Sequence, residues 1–354
     1  MEPHAVAGQV TAGPPKLGQH GPPSDGGAAL RAKRDSGGPV LVAARTFTYG
    51  EGILREAPLL LVPKDSAAFL KSSGTDAMIA IAQRLRDTSR LAAFAAFCRL
   101  PEPQRQELLA MGVSESCTLV RDTKRVVGMF LNDFPQFAGA IDWDHFCHVV
   151  GVVSDRGSLL ANGDRVLHRL SSHAEHSCSP NAVVETLDES GVREVRAIAH
   201  RGISENEAIT VSYLKEEDLV LPLKGRKDAM KSMGRGWTCA CARCARGEDP
   251  VDAMCLLQSI SKAAKDMGEE ALRKHVQDLK ALDASLPFAF VGKARLRSKL
   301  GHACEGCDGA VLQKEAVALY EAAIDETVIV LGQKGWRNAS NIKKRLEELQ
   351  EQMD

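Results

Sequence analysis

Three cysteines fall within six residues, Cys239, Cys241 and Cys244, and a fourth, Cys178, stands well upstream in the stretch Glu175-His-Ser-Cys-Ser-Pro-Asn181. Three thiolates leave one corner of a tetrahedral ion open, and a soft ligand from elsewhere in the chain closes a structural zinc site. Cys178 is the best candidate for that ligand, because Pro180 and Asn181 put it in a turn. A chain that closes such a site must bring two distant segments together, and few other features restrict its topology as much. The alternative is a set of buried, reduced thiols.

The chain has 354 residues, room for two domains or one elaborated domain. Its formal net charge of -1 gives no global field to steer it toward nucleic acid or an anionic membrane. There is no apolar run of the ~18–20 residues that a membrane helix needs. Residues 1–36 are rich in Gly, Pro and Ala and have no apolar core, so they read as a disordered tail and not as a secretory signal. The basic stretch Leu30-Arg-Ala-Lys-Arg34 inside it reads as a solvated charge cluster, with a targeting signal as the alternative. A cytoplasmic or nuclear protein is expected, in which ten cysteines stay reduced.

Order is expected from Pro39. Val40–Ala44 and Gly52–Glu56 read as strands around the turn Thr48–Glu51, and Pro58–Pro63 is an apolar run between prolines. From Asp65 to Leu131 apolar residues recur at helical spacing, which predicts three or four short helices, one of them broken near Pro101 and Pro103. Trp143–Val150 reads as a helix that gives way to Gly-punctuated loops by Leu160. Ala182–Leu187, Glu194–Ala199 and Ala208–Leu214 read as strands, the last ending near Tyr213. After Gly247 the pattern is helical over 254–267, 270–282, 310–331 and 342–353. Many short strands with long connections predict an α+β protein: short curved sheets, a helical insertion and an all-α C-terminal region. His302 with Cys304 and Cys307 makes a second, weaker ligand group. Cys98, Cys117, Cys147 and Cys255 read as core residues.

These pieces, in this order, resemble the SET-domain protein methyltransferases, and within them the SET-and-MYND branch. Val42-Ala-Ala-Arg45 with Gly50-Glu51-Gly-Ile-Leu-Arg-Glu56 is similar to the family's opening strands. His176-Ser-Cys-Ser-Pro-Asn181 is similar to its N-H-S-C-x-P-N signature, and Glu207-Ala-Ile-Thr-Val-Ser-Tyr213 to its G-E-E-I-T-x-S-Y strand. The cysteine trio, preceded by Arg226, resembles the post-SET zinc element. The MYND zinc finger has no counterpart cysteines in residues 65–131, so the chain resembles that branch without the finger.

The resemblance implies short curved sheets around a pseudoknot, with a SET domain over residues 37–223, a post-SET element over 224–248 and helices from 249. It implies that S-adenosylmethionine is bound by Gly38, Pro39, Val40, Glu175, His176, Tyr213 and Trp237. It implies zinc on Cys178, Cys239, Cys241 and Cys244, and Tyr213 as the catalytic hydroxyl that orients a substrate lysine. The implied activity is methyl transfer to a lysine of a protein substrate, histone or non-histone, by a monomer that binds neither nucleic acid nor membrane.

The chain departs from the family at two cofactor positions. Val40 replaces the second glycine of the first cofactor loop, and Glu175 replaces the asparagine of N-H-S-C. These two residues motivate the alternative reading, a catalytically weak or inactive SET fold that acts as a protein-binding scaffold.

Overall fold

Val40, Leu41 and Val42 suit an extended, half-buried backbone, and they lie in strand β2 (Pro39–Ala43), which pairs antiparallel with β1 (Ala28–Ala32). The computed structural model describes residues 28–32, 39–113, 118–233, 238–247, 254–255, 258–259, 268–307 and 310–353. β1 lies inside the stretch expected to be a tail, and Leu30 and Arg31 of the basic cluster stand opposite Leu41 and Val40.

β3 (Gly52–Glu56) and β4 (Pro58–Val62) follow as expected. Five helices come next, where three or four were expected: α1 (Ser66–Ser73), α2 (Asp76–Leu85), α3 (Thr88–Cys98), α4 (Glu102–Ala110) and α5 (Thr118–Asp133). Side-chain caps start the first three. Asp65 accepts from the Ala68 N–H at 2.9 Å, Thr75 from Met78 at 3.2 Å and Asp87 from Arg90 at 3.1 Å. Pro101 and Pro103 do not break a helix; they flank the first residue of α4, where a missing N–H costs nothing.

α6 (Trp143–Arg156) runs past the expected end at Val150. Gly151, read as loop punctuation, instead lies mid-helix, where an added Cβ would come within 2.7 Å of Val120 on α5. The glycine permits close helix contact. α1–α6 and strand β4 share one apolar core that includes Leu59, Ile81, Leu91, Phe94, Phe146 and Val150.

The remaining strands are β5 (Ser158–Leu159), β6 (Arg165–His168), β7 (Glu175–His176), β8 (Ala182–Thr186), β9 (Arg193–Ala197) and β10 (Thr210–Val211). They form small sheets in the orders β4-β6-β5 and β3-β9-β8, together with a parallel pair β7-β10. A second apolar core, with Leu41, Phe47, Ile53, Val195 and Ile209, lies under them. Parallel neighbours need a crossover, and here the β8–β9 hairpin and the turns after it fill that role.

The expected strand over Ala208–Leu214 shrinks to two residues. Its backbone is shared among several partners: Ile209 donates to Leu41 at 2.9 Å, and the Tyr213 N–H goes to a His176 ring nitrogen. Short helices α7 (Glu216–Leu219), α8 (Leu223–Ser232) and α9 (Ala242–Ala245) complete this region.

Three helices follow: α10 (Glu269–Ser285), α11 (Val291–Glu305) and α12 (Ala310–Met353). α11 falls within the region expected to be all-α, over a span where no separate helix was singled out. The helix expected over 254–267 lies almost wholly outside the described residues. Two compact units divide the chain. Residues 280–288 group with the unit that carries all the strands, and residues 289–353 belong to the other. In this second unit α12 reverses at Gly332, with φ 54° and ψ -132°. Its second half returns, so that Arg345 reaches Glu305 at 3.1 Å, and Glu305 also accepts from the Tyr320 hydroxyl at 2.6 Å. Lys293 and Arg297, both buried on α11, converge on the buried carboxylate of Glu326 at 3.4 and 3.1 Å.

Candidate functional site

The parallel pair β7-β10 sets Glu175 opposite Thr210 and His176 opposite Val211. Asn181 fastens the same two segments. Its side-chain oxygen accepts from the Thr210 N–H at 2.7 Å, and its amide donates to Glu207 Oε1 at 2.9 Å and to the Ala208 carbonyl at 2.8 Å. Glu207 is held in turn by Arg201 and by the Ser204 N–H. Burial pulls the Glu207 carboxyl up, but the bonds from Arg201, Asn181 and Ser204 outweigh it and leave the group below the usual carboxylate value.

Tyr213 lies just beyond β10. Its hydroxyl donates to the Ala174 carbonyl at 2.7 Å, and its N–H donates to His176 Nδ1 at 3.0 Å. The two rings stand 5.4 Å apart. Pro39, at the start of β2, is tied to the same neighbourhood, its carbonyl 3.2 Å from His173 Nδ1. Of the residues expected around a cofactor, Glu175, His176 and Tyr213 come together around β7-β10. Val40 lies beside Pro39 on β2. Gly38 and Trp237 lie outside the described residues.

Cys178, Cys239, Cys241 and Cys244 form one cluster, with all four sulfurs within 4.8 Å of one another. Cys178 Sγ is 3.9 Å from Cys239 Sγ and 3.5 Å from Cys244 Sγ. A disulfide needs about 2.05 Å, and all four are free thiols. Four sulfurs at about 2.3 Å from a tetrahedral zinc ion lie ~3.8 Å apart, so the spacing fits zinc. Packing works against ionisation of Cys178 and Cys239, whereas hydrogen bonds to Cys178 and Cys239 hold Cys241 below the usual thiol range. Hydrogen bonds to Cys239 and Cys241, with burial, push Cys178 far above the usual thiol range. Cys239 is pushed up to about 11: its hydrogen bond to Cys178 lowers it, but that to Cys241 and burial outweigh this. A divalent cation removes this conflict.

Two residues of this region escaped the sequence reading. Arg243, 1% exposed, donates to the Cys178 carbonyl at 2.9 Å and to the Leu219 carbonyl at 2.8 Å, joining the two halves of the cysteine cluster through the backbone. A charged residue inside a tight cysteine trio was the available signal. Ala174, which holds the Tyr213 hydroxyl through a main-chain carbonyl, left no signal in its residue type. Among the described residues no other group of three or more metal-ligating side chains occurs, so Cys304 and Cys307 with His302 do not make a second site there.

No protein-family model matches the chain. A 75-residue stretch is 39% identical to the histone-lysine N-methyltransferase ATXR2 of Arabidopsis thaliana, covering 21% of this chain and 15% of that relative. A 115-residue stretch is 27% identical to the histone-lysine N-methyltransferase SET5 of Meyerozyma guilliermondii, covering 32% of this chain and 22% of that one. Over these stretches the chain is similar to histone-lysine N-methyltransferases. The matches span less than a quarter of each relative's own length. Among solved structures, the SET domain of LSMT bound to lysine and AdoHcy aligns over 94% of this chain and 89% of its own, at 13% identity and a TM-score of 0.35. Rubisco LSMT bound to AdoMet aligns over 91% and 88%, at 12% identity and a TM-score of 0.33. In this chain, β7, β10 and Tyr213 surround the candidate active site, and the four cysteines form a candidate zinc centre.

Proposed function

We propose that this chain is a SET-domain, S-adenosylmethionine-dependent protein-lysine N-methyltransferase, with Tyr213 as its catalytic hydroxyl. The carrying observation is the fixed Tyr213 phenol, held by the Ala174 carbonyl through its proton and by His176 through its backbone. A hydroxyl that donates to a fixed carbonyl keeps its oxygen lone pairs for other contacts. The Ala174 carbonyl oxygen and the Tyr213 hydroxyl oxygen, 2.7 Å apart, make an electron-rich pair that suits a positively charged sulfonium. When bound, S-adenosylmethionine supplies an electrophilic methyl group for attack by a neutral lysine amine. A free lysine has a pKa of about 10.4, and the apolar packing around Tyr213 favours the neutral form by desolvation. Tyr213 then orients the amine and accepts weak C–H···O contacts, so its role is positioning of the reacting atoms.

Pro39, Val40, Glu175 and His176 hold the cofactor in this reading, with Gly38 and Trp237 as further contacts. Zinc on the four thiolates cross-links the cysteine turn to the β7 end of the site. Both curated relatives are named histone-lysine methyltransferases, which supports a lysine of a protein, histone or other, as acceptor and supports work in the nucleus; the cytoplasm is the other compartment in this reading. No described helix is long and apolar enough to cross a membrane. The reading includes a monomer without direct nucleic-acid or membrane contacts, and a helical insertion in place of a MYND finger. The helices between Val62 and Arg165 support the helical insertion.

Glu175 favours a second reading, a scaffold that does not turn over. A carboxylate cannot donate a hydrogen bond and repels the carboxylate of the cofactor. Calorimetry of the zinc-loaded chain with S-adenosylmethionine separates the two. The enzyme reading expects measurable heat and methyl labelling of a protein substrate that Tyr213→Phe abolishes or alters with cofactor affinity nearly intact. No heat at millimolar cofactor from folded, zinc-loaded protein sinks it in favour of the scaffold.

A further inference from the structure

The His176 side chain touches both the cysteine cluster and the Tyr213 backbone. Its Nδ1 accepts the Tyr213 N–H at 3.0 Å and therefore carries no proton. The neutral ring must then hold its proton on Nε2, and Nε2 stands 3.2 Å from Cys178 Sγ. The ring is 8% exposed. A stiff five-membered ring thus spans a metal-ligating sulfur and the backbone that carries the tyrosine.

We infer that His176 is a positioning residue that transmits the geometry of the zinc centre to Tyr213. The N–H···S bond fixes one edge of the ring and tempers the charge on Cys178, as partners behind a ligand commonly do. The opposite edge fixes the main chain at residue 213. Hence the tyrosine's place depends on how the four cysteines are seated. The catalytic meaning of this link rests on the proposed role of Tyr213; the link itself does not.

The full chain, loaded with zinc or cadmium and labelled with 3-fluorotyrosine, tests it. The chain has three tyrosines, and the Tyr213 signal is the one lost in Tyr213→Phe. Exchange of zinc for the larger cadmium ion is expected to shift the Tyr213 fluorine resonance and leave Tyr49 and Tyr320 unmoved. A Tyr213 shift no larger than theirs overturns the inference on unaltered His176. In cadmium-113 protein, a scalar coupling between the metal and the His176 Nε2 proton is expected, and a proton found on Nδ1 instead overturns the inference.

Two variants separate the halves of the link. His176→Gln can still donate toward Cys178, whereas His176→Asn can still accept from Tyr213. Zinc affinity is expected to fall about tenfold in the asparagine variant and to change little in the glutamine variant. Both should lose the metal-dependent fluorine shift, and a shift kept in both refutes the relay. None of these readouts measures methyl transfer. An inactive protein with the link intact removes the enzyme reading and leaves this one standing.

Discussion

Asn181 and Thr210 bond to each other in both directions: the Asn181 side chain accepts the Thr210 N–H at 2.7 Å, and the Asn181 N–H donates to the Thr210 carbonyl at 3.2 Å. Residue 181 thereby does the work of a second strand neighbour for a segment that pairs with β7 over only two residues. Asn181→Ala leaves the half-buried Thr210 N–H and the Ala208 carbonyl without these partners. The expected cost is about 3 kcal/mol of unfolding free energy, read as a lower urea midpoint with an unchanged m-value. A loss below about 0.5 kcal/mol would show that water or a shifted backbone replaces the amide.

Zinc content gives a second prediction. Cys241→Ser should drop bound zinc well below one ion per chain, and a strong chelator should do the same to the unaltered protein. Because Cys178 and Cys239 resist ionisation when metal-free, zinc binding must release protons from them. The apparent affinity is therefore expected to rise steeply with pH. A pH-independent affinity, measured with a competing chelator, would mean that the cluster is not a thiolate site.

A third prediction concerns Asp325 in the helical unit. Burial, followed by the charges of Glu321 and Glu326, raises its pKa from 3.8 to about 6. A raised carboxyl binds its proton more tightly in the folded state than in the unfolded one. Its contribution is therefore most favourable at low pH and declines as pH rises from about 3.8 to about 6. Asp325→Asn should track the unaltered protein near pH 4 and gain thermal stability over it at pH 7. An equal difference at both values would contradict the shift.

The reversal in α12 depends on glycine. Gly332 has φ 54° and ψ -132°, a region that side chains avoid, so Gly332→Ala should destabilise the helical unit by about 1–3 kcal/mol. At Gly335 an added Cβ would lie 2.4 Å from the Thr327 carbonyl oxygen. Gly335→Ala should therefore push the two halves of α12 apart. Amide exchange of residues 320–345 would report both changes, and unaltered protection would show that the hairpin does not need either glycine.

Legibility in the sequence followed the range of the forces involved. β2 and β3 were readable because branched residues between Gly and Pro leave few alternatives. The four cysteines were readable because ligand chemistry overrides local propensity. α11 was missed because Lys293 and Arg297 interrupt its apolar rhythm, and only Glu326, a distant residue in the chain, makes their burial tolerable. The last turns of α6 were missed because Gly151, Val152 and Val153 look like strand or loop until the facing helix is known. Arg243 and the Ala174 carbonyl act through main-chain atoms, which residue types do not announce.

The helical insertion leaves β4 and returns to β6 at the same rung: Val62 stands opposite Arg165, and the Lys64 N–H bonds to the Asp164 carboxylate at 2.8 Å. A segment whose two ends are already joined at the sheet can grow, shrink or be exchanged without shifting the strand register. Loop-closure entropy rises only slowly with the length enclosed. The insertion is thus a cassette, free to diversify while the sheet that carries it stays put.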